Sequence, residues 1–487
     1  MQPPRDSQKP GPNVIVIVID ALRAGNLGCY GAQDDASPVL DRLARDATLF
    51  EDTFCTWNTT DQSLTTILTG CYPLSHGIVH HGDAVTDEDI KTLEGSGARL
   101  LAESLKKTGY RTLAVDWMGR WFRWGFDRYG YPPPSDMLTR LRLYAKYMLD
   151  HFSIFRCYAQ SGVESDGEHN GSLLEDIRGV ISTFMFTRHL AEIQDAARVT
   201  DAGLDLLDEE PDKPFFLFLH YWDVHTPYHA PRKFRRYRGT DPVRVLRDRY
   251  EGAVRYVDEQ IGRLLGGLHR RGCLDDTLLI ITSDHGESHT EHGIFFDHHG
   301  LYEPSIHVPL IMRLPGALPR GRRVRGFVQH PDLVPTIMEL VGRQSPDGHV
   351  DGASLLPLAR GEKDALRPHV YCEESYVQPK RALRDGRYKF ITAVDGKGYC
   401  RYCHKVHVGV EELYDLHRDP EETRDLADAR PEIAERMRAE LEETVRRLTT
   451  ERERREGEQG EGPDRTPLSD QEQSELHDRF RSLGYHG

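Results

Sequence analysis

The chain has 487 residues, 38% of them hydrophobic, and a formal charge of -15. That charge excludes general nucleic-acid binding, which needs a basic surface, and no window approaches the roughly 20 apolar residues that span a bilayer. The opening MQPPRDSQKPGPN has no apolar signal core, so a cytoplasmic location is expected and residues 1–12 read as a flexible N-terminus. The eight cysteines show no regular disulfide spacing and are expected to be mostly buried thiols.

Asn13 to Ile19 (NVIVIVI) is a uniformly apolar strand that ends at Asp20. Ser37 to Leu49 reads as a helix, with Ser37 as its cap, Pro38 in its first turn, and Leu40, Leu43 and Ala47 as an apolar stripe. A polar turn, Thr59-Thr60-Asp61-Gln62-Ser63, precedes a buried helix that starts at Leu64. Leu100 to Thr108 is predicted helical and Tyr110 to Val115 a strand; Met137 to Leu207 is predicted mostly helical. Phe215 to Leu219 is a third apolar strand, followed by HYWDVHTPYHAP and a long helix from Asp241 to Arg271. Thr277 to Thr282 is a further strand, running into Asp284-His285-Gly286, and His307 to Met312 is another.

Strands buried on both faces and alternating with helices predict an α/β fold, a large mixed, mostly parallel sheet sandwiched by helices. From about Val370 the texture changes: RALRDGRYKFI and EELYDL look like antiparallel strands, followed by an amphipathic helix over Pro431 to Leu448. The expected organisation is an α/β catalytic domain over residues 13–368 with a helical insertion at 132–200. A small C-terminal α+β subdomain over 369–449 and a charged, solvated tail over 450–487 complete it.

Open α/β sheets place their chemistry beyond the carboxyl ends of the strands. A carboxylate beside an imidazole at such a point, as in Asp284-His285, is a ready pair of ligands for a divalent cation, although alone it could equally cap a helix. Asp20, the turn around Thr60, and His225 present polar groups at other strand ends.

These segments carry a resemblance. NVIVIVIDALRAGNLGCYG resembles the opening strand of the sulfatase branch of the alkaline-phosphatase superfamily, and TTDQSLTTILTGCYPLSHGI its nucleophile loop and helix. FFLFLHYWDVHTPYHAP is similar to its central motif, and TSDHGESHTEHGIFFDHHGLYEPSIHVPLIMRLPG to its metal and closing motifs. VQHPDLVPTIMELVG and EELYDLHRDPEETRDL match later landmarks; the stretch from Pro132 to about Thr200 is left out. The resemblance implies one divalent metal ion (calcium, manganese, magnesium or zinc) held by Asp20, Asp284 and His285, with the Thr60 oxygen completing the shell. It implies Thr60 as nucleophile, His225 and His299 as catalytic groups, and Arg120, His298 and Ser63 as contacts to a small anionic ester.

Two departures matter. Sulfatases carry Cys or Ser in a C/S-x-P-S/A-R motif that is oxidised to formylglycine; here Thr60 stands at that position, with Gln62 for Pro and Leu64 for Arg. A threonine cannot become formylglycine, so phosphate monoester, diester or phosphonate is expected ahead of sulfate ester; transfer to another acceptor and a non-catalytic binding role are the alternatives. Second, the Lys-Trp-His usual after the strand matching Tyr110 to Val115 is replaced by DWMGRWFRW, where Arg120 or Arg123 would supply positive charge. Asp223, His225 and His299 are candidates for a second metal site, but their spacing favours a single metal.

Two local signals stand apart. Cys400 and Cys403, with His404 or His407, are candidate ligands for a structural zinc, the alternative being a hairpin loop with ordinary thiols. LTRLRLYAKYMLDHFSIF has apolar residues at helical spacing and several basic ones. Packing on its own domain, or on a second copy in a homo-oligomer, is favoured over contact with a membrane surface.

Overall fold

The computed structural model describes residues 11–131, 195–209, 213–343, 348–375, 379–394 and 411–458, with isolated positions between 136 and 149. Most of the helical insertion, the Cys400/Cys403 group with His404 and His407, and residues 459–487 lie outside the described residues.

The strands, in chain order, are β1 (Asn13–Ile19), β2 (Thr48–Phe50), β3 (Thr53–Phe54), β4 (Arg111–Val115), β5 (Arg128–Gly130), β6 (Phe215–Tyr221) and β7 (Thr277–Thr282). They continue as β8 (Leu310–Arg313), β9 (Arg322–Val324), β10 (Val328–Gln329), β11 (His369–Glu374), β12 (Lys380–Asp385), β13 (Tyr388–Ala393) and β14 (Glu411–Asp415). The main sheet has eight strands in the order β5-β4-β6-β1-β7-β8-β2-β9. From β5 to β7 every pairing is parallel, and β8 runs antiparallel to both β7 and β2.

The central strands carry no polar alternation because both of their faces are covered. Val14, Val16 and Val18 of β1 and Phe216 and Phe218 of β6 share one core with Leu64, Ile67 and Leu68 of the helix Thr60–Thr69. The intervening residues, Ile15, Ile17, Ile19, Leu217 and Leu219, share the other core with Leu246, Tyr250 and Ile261 of the long helix Pro242–Arg270. Register then fixes what emerges at the top of the sheet: Val18 is level with His220 and with Thr282, and Val115 is level with Leu219. The carboxyl ends of β4, β6, β1 and β7 therefore finish together.

The strand expected from His307 begins only at Leu310, and four further boundaries differ from expectation. The helix expected over Ser37 to Leu49 ends at Arg45, because Thr48-Leu49-Phe50 is taken into the sheet between β8 and β9. The turn before Leu64 is itself the first turn of the helix, which starts at Thr60. Strand β6 runs on through His220 and Tyr221, past the expected end at Leu219. Finally, residues 450–458 are not a solvated tail. The helix Pro431–Glu458 continues through them, as its Glu and Arg content favours, and its buried Arg455 donates to the Ser96 carbonyl at 2.8 Å.

The C-terminal unit is a four-stranded antiparallel sheet, β11-β12-β13-β14, closed by that helix. Leu383, Phe390 and Leu413 of the sheet share a core with Met437 and Leu441 of the helix, and with Tyr72 and Leu74 of the catalytic unit.

Candidate active site

Asp20 follows β1 directly and is fully buried. The next residue, Ala21, takes a left-handed backbone (φ 56°), which turns the chain sharply across the sheet top. Its N–H donates to Asp284 Oδ1 at 3.2 Å, and the Leu22 N–H donates to Ser283 Oγ at 2.9 Å, so the ends of β1 and β7 are tied. Gly286 permits the turn after His285: a Cβ there would sit 2.1 Å from the Pro304 carbonyl oxygen.

This framework brings Asp20, Asp284 and His285 together. His285 Nε2 lies 3.4 Å from Asp284 Oδ2 and 3.9 Å from Asp20 Oδ1. A fourth group, absent from the residues proposed on sequence, joins them: His220, on β6, places Nε2 3.7 Å from Asp20 Oδ2. Donors held at about 2.0–2.2 Å from one ion can be no more than about 4.4 Å apart, and these separations fit. Both Asp20 oxygens, Asp284 Oδ2, His285 Nε2 and His220 Nε2 are buried without a hydrogen-bond partner among the described residues. Buried polar atoms in that state are costly unless something occupies the space between them. Burial, followed by the neighbouring Asp284, Glu287 and Asp116 carboxylates, pushes the Asp20 carboxyl well above the ordinary range. Burial acts likewise on Asp284, but His285 and His220 outweigh it and hold that carboxyl low. The donor set and its charge fit a divalent cation.

Thr60 is the first residue of its helix and only 2% exposed. Thr59, not Thr60, occupies the capping position, and the Thr59 hydroxyl donates to Gln62 Oε1 at 2.6 Å. Thr60 is thus not the helix cap, and its hydroxyl sits at the positive end of the helix dipole. Ser63 Oγ donates to the Trp57 carbonyl at 2.6 Å, which fastens the segment leading into Thr60. Cys55 and Cys71 flank the helix, and burial pushes both thiols well above their ordinary values.

The histidines divide. The ring of His298 lies 4.4 Å from that of His285 and 5.8 Å from that of His225, so His298 and His225 border the Asp20/Asp284/His285 cluster. His299 Nδ1 is 3.4 Å from Asp297 Oδ2 instead. His298 Nδ1 lies 2.7 Å from the Asn58 carbonyl oxygen, His225 Nδ1 2.9 Å from that of Thr226, and His285 Nδ1 2.9 Å from that of Gly286. A carbonyl can only accept, so each ring keeps its proton on Nδ1 and presents a lone pair at Nε2. Burial, with His285 nearby, depresses both His225 and His298, so both are neutral at pH 7.

Arg120 donates to the Gly82 and Val85 carbonyls at 3.2 and 3.0 Å, and the Gly82 N–H donates to Asp61 Oδ2 at 2.7 Å. Its guanidinium is thereby anchored to the loop beside the Thr60 helix. Asp223, a candidate for a second metal, accepts from the Ala196 N–H at 3.1 Å at the start of the helix Ala196–Leu207, a structural use. No helix among the described residues is long and apolar enough to cross a membrane.

A mixed sheet that gathers two carboxylates and imidazoles at its strand ends, in a chain that also buries a hydroxyl at a helix N-terminus, fits a hydrolase of the alkaline-phosphatase-like class, whose members bind a divalent metal. Residues 12–343 match the model of the sulfatase family, and residues 290–451 match that of the N-sulphoglucosamine sulphohydrolase C-terminal region. The chain belongs to the sulfatase family. An arylsulfatase of Clostridium perfringens is 26% identical over 469 residues, covering 85% of this chain and 90% of that protein. A steryl-sulfatase of Rattus norvegicus is 26% identical over 505 residues, covering 85% and 84%. Among solved structures, a 2-O GAG sulfatase matches with a TM-score of 0.65 at 19% identity, over 94% of this chain and 97% of that one. The phosphonate monoester hydrolase of Agrobacterium radiobacter matches with a TM-score of 0.59 at 20% identity, over 91% and 96%. At such identities the structural likenesses speak for the fold.

Proposed function

We propose that the chain hydrolyses phosphate, phosphodiester or phosphonate esters, in preference to sulfate esters, through a covalent intermediate on Thr60. The observation that carries this reading is the residue at the start of the helix Thr60–Thr69: a threonine, buried and not used as a cap. Its secondary alcohol has no route to an aldehyde hydrate, whereas it can attack phosphorus and be released by water. A divalent ion held by Asp20, Asp284 and His285 would stabilise the attacking oxygen and the charge that develops on the transferred group.

The residues of the chain supply the rest. The Nε2 lone pair of His225 or His298 accepts the Thr60 proton as the Thr60 oxygen bonds to phosphorus. It returns that proton to the ester oxygen as the bond to phosphorus breaks. Water then attacks phosphorus in the Thr60 intermediate, its oxygen going to phosphorus and a proton to the Thr60 oxygen. This releases phosphate from a monoester, a phosphate monoester from a diester or phosphonate from a phosphonate ester, and restores the hydroxyl. His298 takes the catalytic place that the resemblance gave to His299, whose Nδ1 faces Asp297, and Arg120 is the further candidate for holding the anionic oxygens.

The names of the curated relatives favour sulfate esters as the second reading. Parallel assays of aryl phosphate, phosphodiester, phosphonate and sulfate esters with added metal separate the two. Phosphorus esters are expected to turn over fastest, and Thr60→Ala to lose at least about 1,000-fold in kcat. Turnover of the sulfate ester alone, or full activity in Thr60→Ala, would overturn the reading.

A further inference from the structure

His220 is a buried histidine with two unlike ends. Its Nδ1 lies 2.9 Å from Asp116 Oδ1. Asp116 directly follows β4 and comes level with His220 because Val115 pairs with Leu219. The other oxygen of Asp116 accepts a hydrogen bond from the Tyr129 hydroxyl, at β5, so tyrosine, carboxylate and imidazole form a chain across three adjacent strands. At the far end of the ring, Nε2 has no hydrogen-bond partner among the described residues and sits 3.7 Å from Asp20 Oδ2, too far for a hydrogen bond.

Trp222 Nε1 also lies 3.0 Å from His220 Nδ1, and one nitrogen cannot serve both neighbours. A buried carboxylate accepts a charge-assisted hydrogen bond more strongly than an imidazole accepts one from indole, so the proton stays on Nδ1 and points to Asp116. That tautomer leaves the Nε2 lone pair directed at the space between Asp20 and Asp284. A carboxylate behind an imidazole, fixing its tautomer and raising its basicity, is the arrangement metal-binding histidines use. A histidine serving only packing would have no reason to leave Nε2 bare in a fully buried setting.

We infer that His220 is a fourth protein ligand of the metal, positioned by Asp116 and Tyr129. The site is then a set of two imidazoles and two carboxylates, which favours a borderline transition ion such as zinc, manganese or cobalt over calcium or magnesium. The inference rests on the reading that this cluster binds metal, but not on which ester is cleaved.

Electron spin-echo spectroscopy of the full chain loaded with copper(II) as probe counts coordinated imidazoles. Two are expected in the wild type and one in His220→Ala. Equilibrium dialysis with zinc and with calcium gives the second readout: Asp116→Asn should weaken zinc binding by about 10- to 100-fold and leave calcium binding nearly unchanged. A count of one imidazole in the wild-type protein overturns the assignment even if His220→Ala fails to fold. Unchanged zinc affinity in Asp116→Asn removes Asp116 from it. Two imidazoles with no turnover of any ester would uphold the metal set while sinking the proposed activity; one imidazole with phosphoesterase activity would do the reverse.

Discussion

Two of the buried charge clusters among the described residues are treated differently. At the top of the main sheet, Asp20, Asp284, His285 and His220 converge with bare polar atoms and like charges. Where the C-terminal sheet meets the catalytic unit, Lys389 of β13 is as deeply buried but is surrounded. Its Nζ lies 2.6 Å from Glu422 Oε1 and 3.0 Å from Glu303 Oε1, and donates to the Leu301 carbonyl at 3.2 Å. Arg384 adds a second ion pair to Glu303 at 2.9 Å and lays its guanidinium over the Phe54 ring. A paired cluster is a fastener, and its charges matter to stability. An unpaired one is a receptor, poorly arranged for the empty protein and completed by what it binds.

Removing one charge from each cluster should therefore act in opposite ways. Asp20→Asn is expected to abolish metal retention, measured by elemental analysis, and to lower kcat by at least about 1,000-fold. In chelator its unfolding free energy should equal or exceed that of the wild type, since the raised carboxyl of Asp20 has no hydrogen-bond partner among the described residues to lose and its removal relieves Asp284 and Glu287 of a like-charged neighbour. Lys389→Met should keep its metal but lose about 3–5 kcal/mol in urea unfolding, the cost of leaving buried carboxylates unpaired. Equal losses of stability in the two variants under chelation would erase the distinction.

A buried histidine outside both clusters gives a smaller, pH-dependent effect. Burial depresses His76 from 6.5 to about 3, with Thr66 Oγ1 3.3 Å from its Nε2. Its folded form binds fewer protons than its unfolded form, so the stability it allows is present above pH 6.5 and is lost as pH falls toward 3. Relative to His76→Leu, the wild type should lose about 1.4 kcal/mol per pH unit on acidification below pH 6.5. A pH-independent difference between the two would show that the ring titrates normally. The smallest change is expected from Arg455→Ala, about 1–2 kcal/mol, because it frees the Ser96 and Ser75 carbonyls that Arg455 now satisfies.

Much of this arrangement is legible in the residues alone. The runs NVIVIVI and TLLIIT announce strands covered on both faces, and a carboxylate at the end of each points to a cation; the sheet does bring Asp20, Asp284 and His285 together. His220 is not legible in this way, because the aliphatic pattern of its strand stops at Leu219. The polar and aromatic residues His220 and Tyr221 still belong to β6. Asp116 is hidden for a different reason. Its meeting with His220 depends on β4 lying beside β6, a pairing across about 100 residues that no local pattern encodes. The end of the last helix is not legible either, because a run of Glu and Arg reads equally as a solvated coil or as a good helix. Its contacts with Ser75 and Ser96 decide in favour of the helix.

The central position of β1 also has a consequence in time. Its two neighbours, β6 and β7, begin at Phe215 and Thr277, so the first strand made waits for roughly 200 residues of synthesis before either partner exists. At about 5–20 residues per second that is an interval of about 10–40 s. Throughout it NVIVIVI, an apolar β-forming heptapeptide without a charge or a proline, has neither edge paired. The strand that delivers Asp20 to the site is therefore exposed to aggregation for that interval of synthesis, and is a segment a chaperone would have reason to hold.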